Sequence, residues 1–153
     1  MVCFGLIVIL AFFAGMPVRG ALEKASKSTF SVMTYNIWDL SGKGPAVQDV
    51  AKVIRSAGIP DILLLQDVGS EAMAVSLSTA LTFPYRLYRR VDGHEYDLAI
   101  FARYPLTDSG FFYFKSSQTG RGALKATATI SGRKVQVCSV HLDRIDSIKV
   151  NQQ

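Results

Sequence analysis

The sequence predicts an α+β fold, and two observations carry that prediction. Apolar residues recur at helical spacing in two early segments: Val47, Val50, Ala51, Ile54 and Ala57, then Met73, Leu77 and Leu81. After Pro84 the period drops to two, and five short segments follow one another, separated by turn residues. The 153 residues are 49% apolar and 19% charged. That composition gives one domain with enough apolar surface for a core and excludes a disordered chain.

Residues 1–20 are set apart as an export signal. Residues 2–16 are apolar and uncharged, fewer than the roughly 20 that a bilayer span needs. Val18 and Gly20 are small enough for the −3 and −1 positions of a signal-peptidase site, so cleavage is expected before Ala21. An uncleaved anchor is the second reading and a core helix the third. The expected mature domain, 21–153, is secreted or periplasmic. Losing Arg19 lowers the Lys plus Arg count from 17 to 16 against 12 Asp plus Glu, so the net charge falls from +5 to +4. A pI near 9.4 suits a phosphate-bearing partner. Cleavage also removes Cys3 and leaves Cys138 as the sole cysteine, which excludes an intrachain disulfide. Its place in "VQVCSVHL" suggests a buried strand thiol.

The elements follow in order. "STFSVMTYNIW" (28–38) is β-branched and aromatic and reads as a strand. "SGKGP" (41–45) is a loop, and its "GKG" lacks the spacing and the Ser/Thr of a phosphate-binding loop. A helix starts near Pro45 and stops at Gly58. "PDILLLQDV" is apolar nearly throughout, as a strand buried on both faces is. "GSEAMAVSLSTAL" (69–81) is a second helix. "YRLYRR", "YDLAIFAR", "SGFFYFK", "ALKATATI" and "KVQVCSVHL" are strands, connected at Asp92-Gly93, Tyr104-Pro105, Gly120 and Ser131-Gly132. The last pair predicts a tight hairpin of 121–130 with 133–141. "DRIDSIKVNQQ" starts a helical pattern.

Strand–helix–strand connections are crossovers, so the first two strands are expected to run parallel and to end at one sheet edge. Asn36 and Asp67 stand at those two ends. Ligands in open α/β sheets sit outside the carboxyl ends of strands, and an amide oxygen beside a carboxylate is a donor set for a hard cation such as Mg²⁺. The same spacing suits two residues that only cap strand ends. His141 closes the last strand, where it serves either as a donor to a phosphoryl oxygen or as an ordinary half-buried residue. Arg121 begins the neighbouring strand, as a phosphate clamp or a solvated turn residue. His94 reads as a turn residue. No G-x-S-x-G, C-x-x-C or H-E-x-x-H occurs, so neither a serine nucleophile nor zinc is indicated.

Four segments in order, "VMTYNIW", "PDILLLQDV", "LAIFARYPL" and "GRGALKATATISGRKVQVCSVHLD", resemble the endonuclease/exonuclease/phosphatase superfamily, the deoxyribonuclease I-like fold. The resemblance implies part of a four-layer α/β sandwich, two packed mixed sheets flanked by helices. It implies a phosphoester hydrolase (nuclease, phosphodiesterase or phosphatase) dependent on Mg²⁺ or Mn²⁺, in which water attacks phosphorus. Carried over by position, Asn36 and Asp67 fall on metal-site residues, His141 on the histidine that contacts the scissile phosphate, and Arg121 on an arginine that often precedes its strand. Asp67 stands where the family has glutamate, and its carboxylate reaches about 1.5 Å less far. The family's G-D-F-N and S-D-H motifs do not occur before Gln153, so the domain is expected to be incomplete, its C-terminal half missing and part of its sheet surface uncovered. The implied partner is a phosphoester: nucleic acid, phospholipid head group or small molecule. The alternative to the hydrolase is an inactive fragment or pseudoenzyme that binds metal or phosphate only. An unrelated basic α/β binding module is the third reading.

Overall fold

A computed structural model describes residues 7–11, 29–39, 44–90, 98–114 and 121–142. Expectations for the turn around Asp92-Gly93 and His94, for Gly120, for residues 41–43 and for the helical pattern from Arg144 lie outside the described residues. So does most of the expected leader.

Ten elements are present among the described residues. They are β1 (Ile7–Ala11), β2 (Phe30–Asn36), α1 (Val47–Ala57), β3 (Ile62–Gln66), α2 (Glu71–Ala80), β4 (Tyr85–Arg89), β5 (Leu98–Ala102), β6 (Leu106–Tyr113), β7 (Gly122–Ile130) and β8 (Arg133–His141). They build a five-stranded sheet of order β1-β2-β3-β5-β4 and a three-stranded sheet of order β6-β7-β8. β2 and β3 are parallel, as the crossover through α1 requires, and the other pairs are antiparallel. No helix among the described residues is long and apolar enough to cross a membrane.

Alternation along the central strands sorts the core into two layers. Met33, Leu63, Leu65, Ala99 and Phe101 face the helices and pack on Val50, Ala51, Ile54, Met73, Ala74 and Leu77. Phe30, Ile62, Leu98, Ile100 and Ala102 face the second sheet and meet Leu124, Ala126, Ala128, Ile130 and Val137. This double burial is why "ILLL" (62–65) carries no polar residue on either side. Each fully buried leucine of β3 contributes about 1.5–3 kcal/mol. Helices, sheet and sheet make three layers of the expected sandwich. The outer face of the second sheet is uncovered among the described residues, with Phe112 and Val140 exposed on it.

The helix ends follow from their residues. Ser70 caps α2, its hydroxyl accepting from Met73 N at 3.1 Å. The α1 N-cap, Ala46, has no capping side chain, and Asp49 supplies negative charge in the first turn. α1 stops at Gly58, at φ 89°. Arg55 donates to Ala80 O at 2.6 Å, tying α1 to the last turn of α2. At the far ends of β2 and β3, Ser31 N and Oγ both donate to Asp61 Oδ2, at 2.8 and 2.9 Å.

The Ser131-Gly132 hairpin joins Ile130 to Arg133 in register, with both turn residues at positive φ, 48° and 75°. Two expectations are corrected. β6 begins at Leu106 rather than Ser109, because a register shift between Thr107 and Gly110 absorbs the polar residues in between. Cys138 is exposed, not buried. β8 turns Val137 and Ser139 inward, which leaves Gln136, Cys138 and Val140 on the outer face.

Candidate functional site

The site is assembled where four strand ends meet. β2 delivers Asn36 and β3 runs directly into Asp67, with Asn36 paired to Gln66 in register. β8 ends on His141, and β7 begins one residue after Arg121, with Gly122 paired to His141. The four residues singled out in the sequence are therefore all brought together.

Asn36 Nδ2 donates to Asp67 Oδ2 at 2.8 Å. The other carboxylate oxygen, Oδ1, lies 3.2 Å from His141 Nδ1 and 3.9 Å from Arg121 Nη1. Asp67 and Arg121 are buried, at 4% and 7% exposed. Arg121 Nη1 is in hydrogen-bond contact with His141 Nε2. An arginine only donates, so Nε2 accepts and the ring proton sits on Nδ1, facing Asp67. The cluster is an ordered series: amide, carboxylate, imidazole, guanidinium. Asp67 and Arg121 lie buried at its centre, Asn36 and His141 are partly exposed at its margin, and it holds one negative and one fixed positive charge.

The backbone aims these groups. Asp67 adopts φ 54° immediately after β3, a left-handed conformation that aspartate tolerates better than most residues. Its carbonyl accepts from Asp39 N at 2.8 Å, and Gln66 O accepts from Ile37 N at 3.0 Å. The loop after β2 is thus zipped onto the loop after β3. Asn36 Oδ1 accepts from Trp38 N at 2.9 Å.

The sequence reading missed three contributors. Gln66 is 7% exposed and Ser139 fully buried. Gln66 Nε2 donates to Thr34 Oγ1 at 3.0 Å and to Ser139 Oγ at 3.1 Å, and Ser139 Oγ donates to Leu65 O at 2.9 Å. This clip crosses between the sheets directly beneath the site and satisfies polar groups that would otherwise cost free energy to bury. The available signals were an amide closing an apolar strand and a serine at an inward position of β8. The third contributor is Asp39, 5% exposed, whose Oδ1 accepts from Gly44 N at 3.1 Å. A Cβ on Gly69 would lie 2.2 Å from Asp39 O, so Gly69 is required for this close approach.

A divalent cation is implied by the fold, and the donor set suits one in part. Asp67 offers one carboxylate oxygen and the Asn36 amide oxygen is the second, together as many as Mg²⁺ takes from protein when water and phosphate complete its shell. Among the described residues no group of three His, Cys, Asp or Glu side chains converges on a point. The amide oxygen of Asn36 points at Trp38 N, so joining Asp67 on a cation requires the amide to turn over and release that bond.

No family model and no curated protein matches this chain. Solved structures do. A truncated TDP2 of Caenorhabditis elegans matches at TM-score 0.62 and 26% identity over 75% of this chain and 47% of its own. Sphingomyelinase C of Streptomyces griseocarneus matches at TM-score 0.60 and 21% identity over 77% and 50%. TDP2 of D. rerio, in a complex with single-strand DNA product, matches at TM-score 0.59 and 20% identity over 78% and 48%. The chain thus spans about half the length of the structures it matches. The described residues carry the deoxyribonuclease I-like fold of these structures, as a partial fold over about three quarters of this chain.

Proposed function

We propose that this chain is a metal-dependent phosphoester hydrolase whose reacting phosphate sits over Asp67, His141 and Arg121. The observation that carries the reading is the convergence of Asn36, Asp67, Arg121 and His141 from four strands at one edge of this fold. Asn36 and Asp67 would hold the cation, Mg²⁺ or Mn²⁺. When bound it polarises a phosphoryl oxygen and offsets the charge that develops as water attacks phosphorus.

The chain's own residues bind and orient. Arg121 exchanges its contact with His141 Nε2 for a phosphoryl oxygen and places a fixed positive charge there. His141, released at Nε2 and held at Nδ1 by Asp67, donates to the same phosphate once Nε2 has taken up a proton. Burial of the cluster keeps competing water away and strengthens both contacts. Water adds to phosphorus, the ester P–O bond breaks, and the alcohol leaves with a proton.

The test uses the full chain with Mg²⁺ or Mn²⁺ on bis(p-nitrophenyl) phosphate, plasmid DNA and sphingomyelin. Turnover on at least one, lost in His141→Ala, is the expected result. A folded chain that turns over none of them refutes the hydrolase. That outcome leaves the second reading, a pseudoenzyme that binds metal or phosphate only. The observation favouring the second reading is the shorter Asp67, whose Oδ1 is drawn toward Arg121 and His141. Residues 1–20 are proposed to be a cleaved leader and the protein secreted or periplasmic. N-terminal sequencing of exported protein then starts at Ala21, and retention of Met1 rejects it.

A further inference from the structure

Strand edges are open templates for pairing, and folds blunt them with charge, proline or irregularity. Among the described residues, the edge strands outside the expected leader carry such devices. β4 follows Pro84 and holds Arg86 and Arg89. β6 holds Asp108 and a register shift between Thr107 and Gly110. β8 holds Arg133 and Lys134. β2 has none of them. Its sequence, "FSVMTYN", contains no charge, no proline and no glycine. Its outer edge is covered by β1, which runs antiparallel to it and belongs to the expected leader.

The backbone shows which groups β1 covers. Ile37 N donates to Gln66 O, and Ser31 O accepts from Asp61 N. Odd-numbered residues of β2 therefore turn their amides and carbonyls toward β3. The even-numbered ones, Phe30, Val32, Thr34 and Asn36, turn theirs outward. β1 sets Ala11, Ile9 and Ile7 against the first three. An apolar side chain is also exposed on this side of the sheet. Arg55 ties one side of α1 to α2, which lies toward β4. Val53, about 200° round the helix from Arg55, faces away from α2 and is 43% exposed.

We propose that the outer edge of β2 is a docking edge for a second copy of this chain. Loss of residues 1–20 takes β1 away, and two copies then join β2 to β2, antiparallel and centred on Met33. The proposal rests on residues 1–20 being the removable leader described above. In that register β2 is complementary to itself. Phe30 meets Asn36, Val32 meets Thr34 and Ser31 meets Tyr35, so no charges oppose each other. The four outward-turned residues pair among themselves, and every edge N–H finds a carbonyl. Faces match too. Phe30 and Val32 pack toward the second sheet and Met33 and Tyr35 toward the helices, so both copies keep their helices on one side. β4 on β4 or β8 on β8 would instead crowd like charges. A charged partner finds nothing on β2 to recognise. In the dimer, Phe30 of each copy braces the Asn36 strand end of the other.

The test opens the edge in the full chain. Ile9→Pro removes the amide that β1 sets against Val32. By light scattering across a concentration series, its mass should rise to twice the 16.7 kDa of one chain. The Val32 amide points away from β3, so Val32→Pro removes an edge donor and leaves the β2–β3 ladder intact. Added to Ile9→Pro, it should return the mass to one chain. Amide hydrogen exchange reports on the edge itself. In the wild type β1 covers Val32 and Thr34, and their exchange should not depend on concentration. In Ile9→Pro it should slow as concentration rises, while Met33 and Tyr35, bonded to β3, stay slow throughout and show that the sheet is folded. This measurement decides the matter even if the double variant does not fold. An Ile9→Pro chain that is monomeric at every concentration overturns the proposal. If its Val32 and Thr34 amides nevertheless stay protected, the edge belongs to another segment of the same chain. A dimer that survives Val32→Pro, or one whose formation leaves Thr34 exchange unchanged, places the contact elsewhere and also overturns it. Exported protein that begins at Ala21 yet stays monomeric refutes only the dimer. Dimeric Ile9→Pro alongside exported protein that retains Met1 refutes only the leader.

Discussion

Asp67 and Arg121 are opposite charges, both buried, and losing both should cost less than the sum of the two single losses. Their oxygen and nitrogen lie 3.9 Å apart, with side chains 6% and 7% exposed. At an effective dielectric near 20 that separation corresponds to about 4 kcal/mol of attraction. Replacing Arg121 with Met leaves the carboxylate without that cation, and Asp67→Asn strands the guanidinium. Each single change should cost about 3–5 kcal/mol, which for a chain of this length lowers Tm by about 10–15 °C. Asparagine tolerates the positive φ at position 67, so its cost is electrostatic rather than conformational. The double variant has no unpaired charge, and it should recover about 2–4 kcal/mol relative to the sum of the singles. His141 is present in all four proteins and cancels from the cycle, except where it mediates the pair. Urea denaturation followed by circular dichroism supplies the four free energies. Additivity within about 0.5 kcal/mol would show that the two charges do not sense each other and that the site is more hydrated than its burial indicates.

Two other predictions follow from the same geometry. Asp67→Glu extends the carboxylate by about 1.5 Å and should tighten Mn²⁺ binding, read as a change in Trp38 emission when the amide of Asn36 turns over. Equal or weaker binding in the glutamate variant, or a Trp38 signal indifferent to Mn²⁺, argues against Asn36 and Asp67 as ligands. The second concerns Cys138, where partial burial pushes the thiol pKa up and Lys125 pulls it partly back. Burial disfavours the thiolate, so iodoacetamide should react more slowly with the folded chain than with a cysteine peptide at pH 8. The midpoint of its pH–rate profile should lie above that of the peptide, and a midpoint at or below it contradicts the sign.

The central strands were legible because burial on two faces leaves a continuous apolar run, and Ile62 to Leu65 could hardly be anything else. The parallel pairing of β2 and β3 followed from chain connectivity, and it placed Asn36 beside Asp67 without any knowledge of distances. Arg121 and His141 were legible as strand ends through the Ser131-Gly132 hairpin, which fixes them one residue out of register. Other features were not legible. Alternation along β8 shows two faces without saying which one is inward, and Cys138 was assigned to the wrong one. Nor does periodicity reveal that β5 inserts between β3 and β4, since antiparallel neighbours in the sheet need not be neighbours in sequence. The bonds among Thr34, Gln66 and Ser139 depend on residues 73 positions apart meeting across two sheets, and no local pattern encodes that.

That clip sets an order of dependence within the molecule. Thr34 stands two residues before Asn36, Gln66 one before Asp67, and Ser139 two before His141. Each candidate site side chain is thus phased by an uncharged neighbour upstream of it, through bonds that salt screens little and that pH near neutrality leaves untouched. Alignment is completed before any ligand arrives and does not draw on the groups that would meet one. A lineage could therefore lose its chemistry at Asp67 or His141 while the architecture that presents those positions persisted. The scaffold would outlast the reaction, and selection could later furnish the same edge with different side chains.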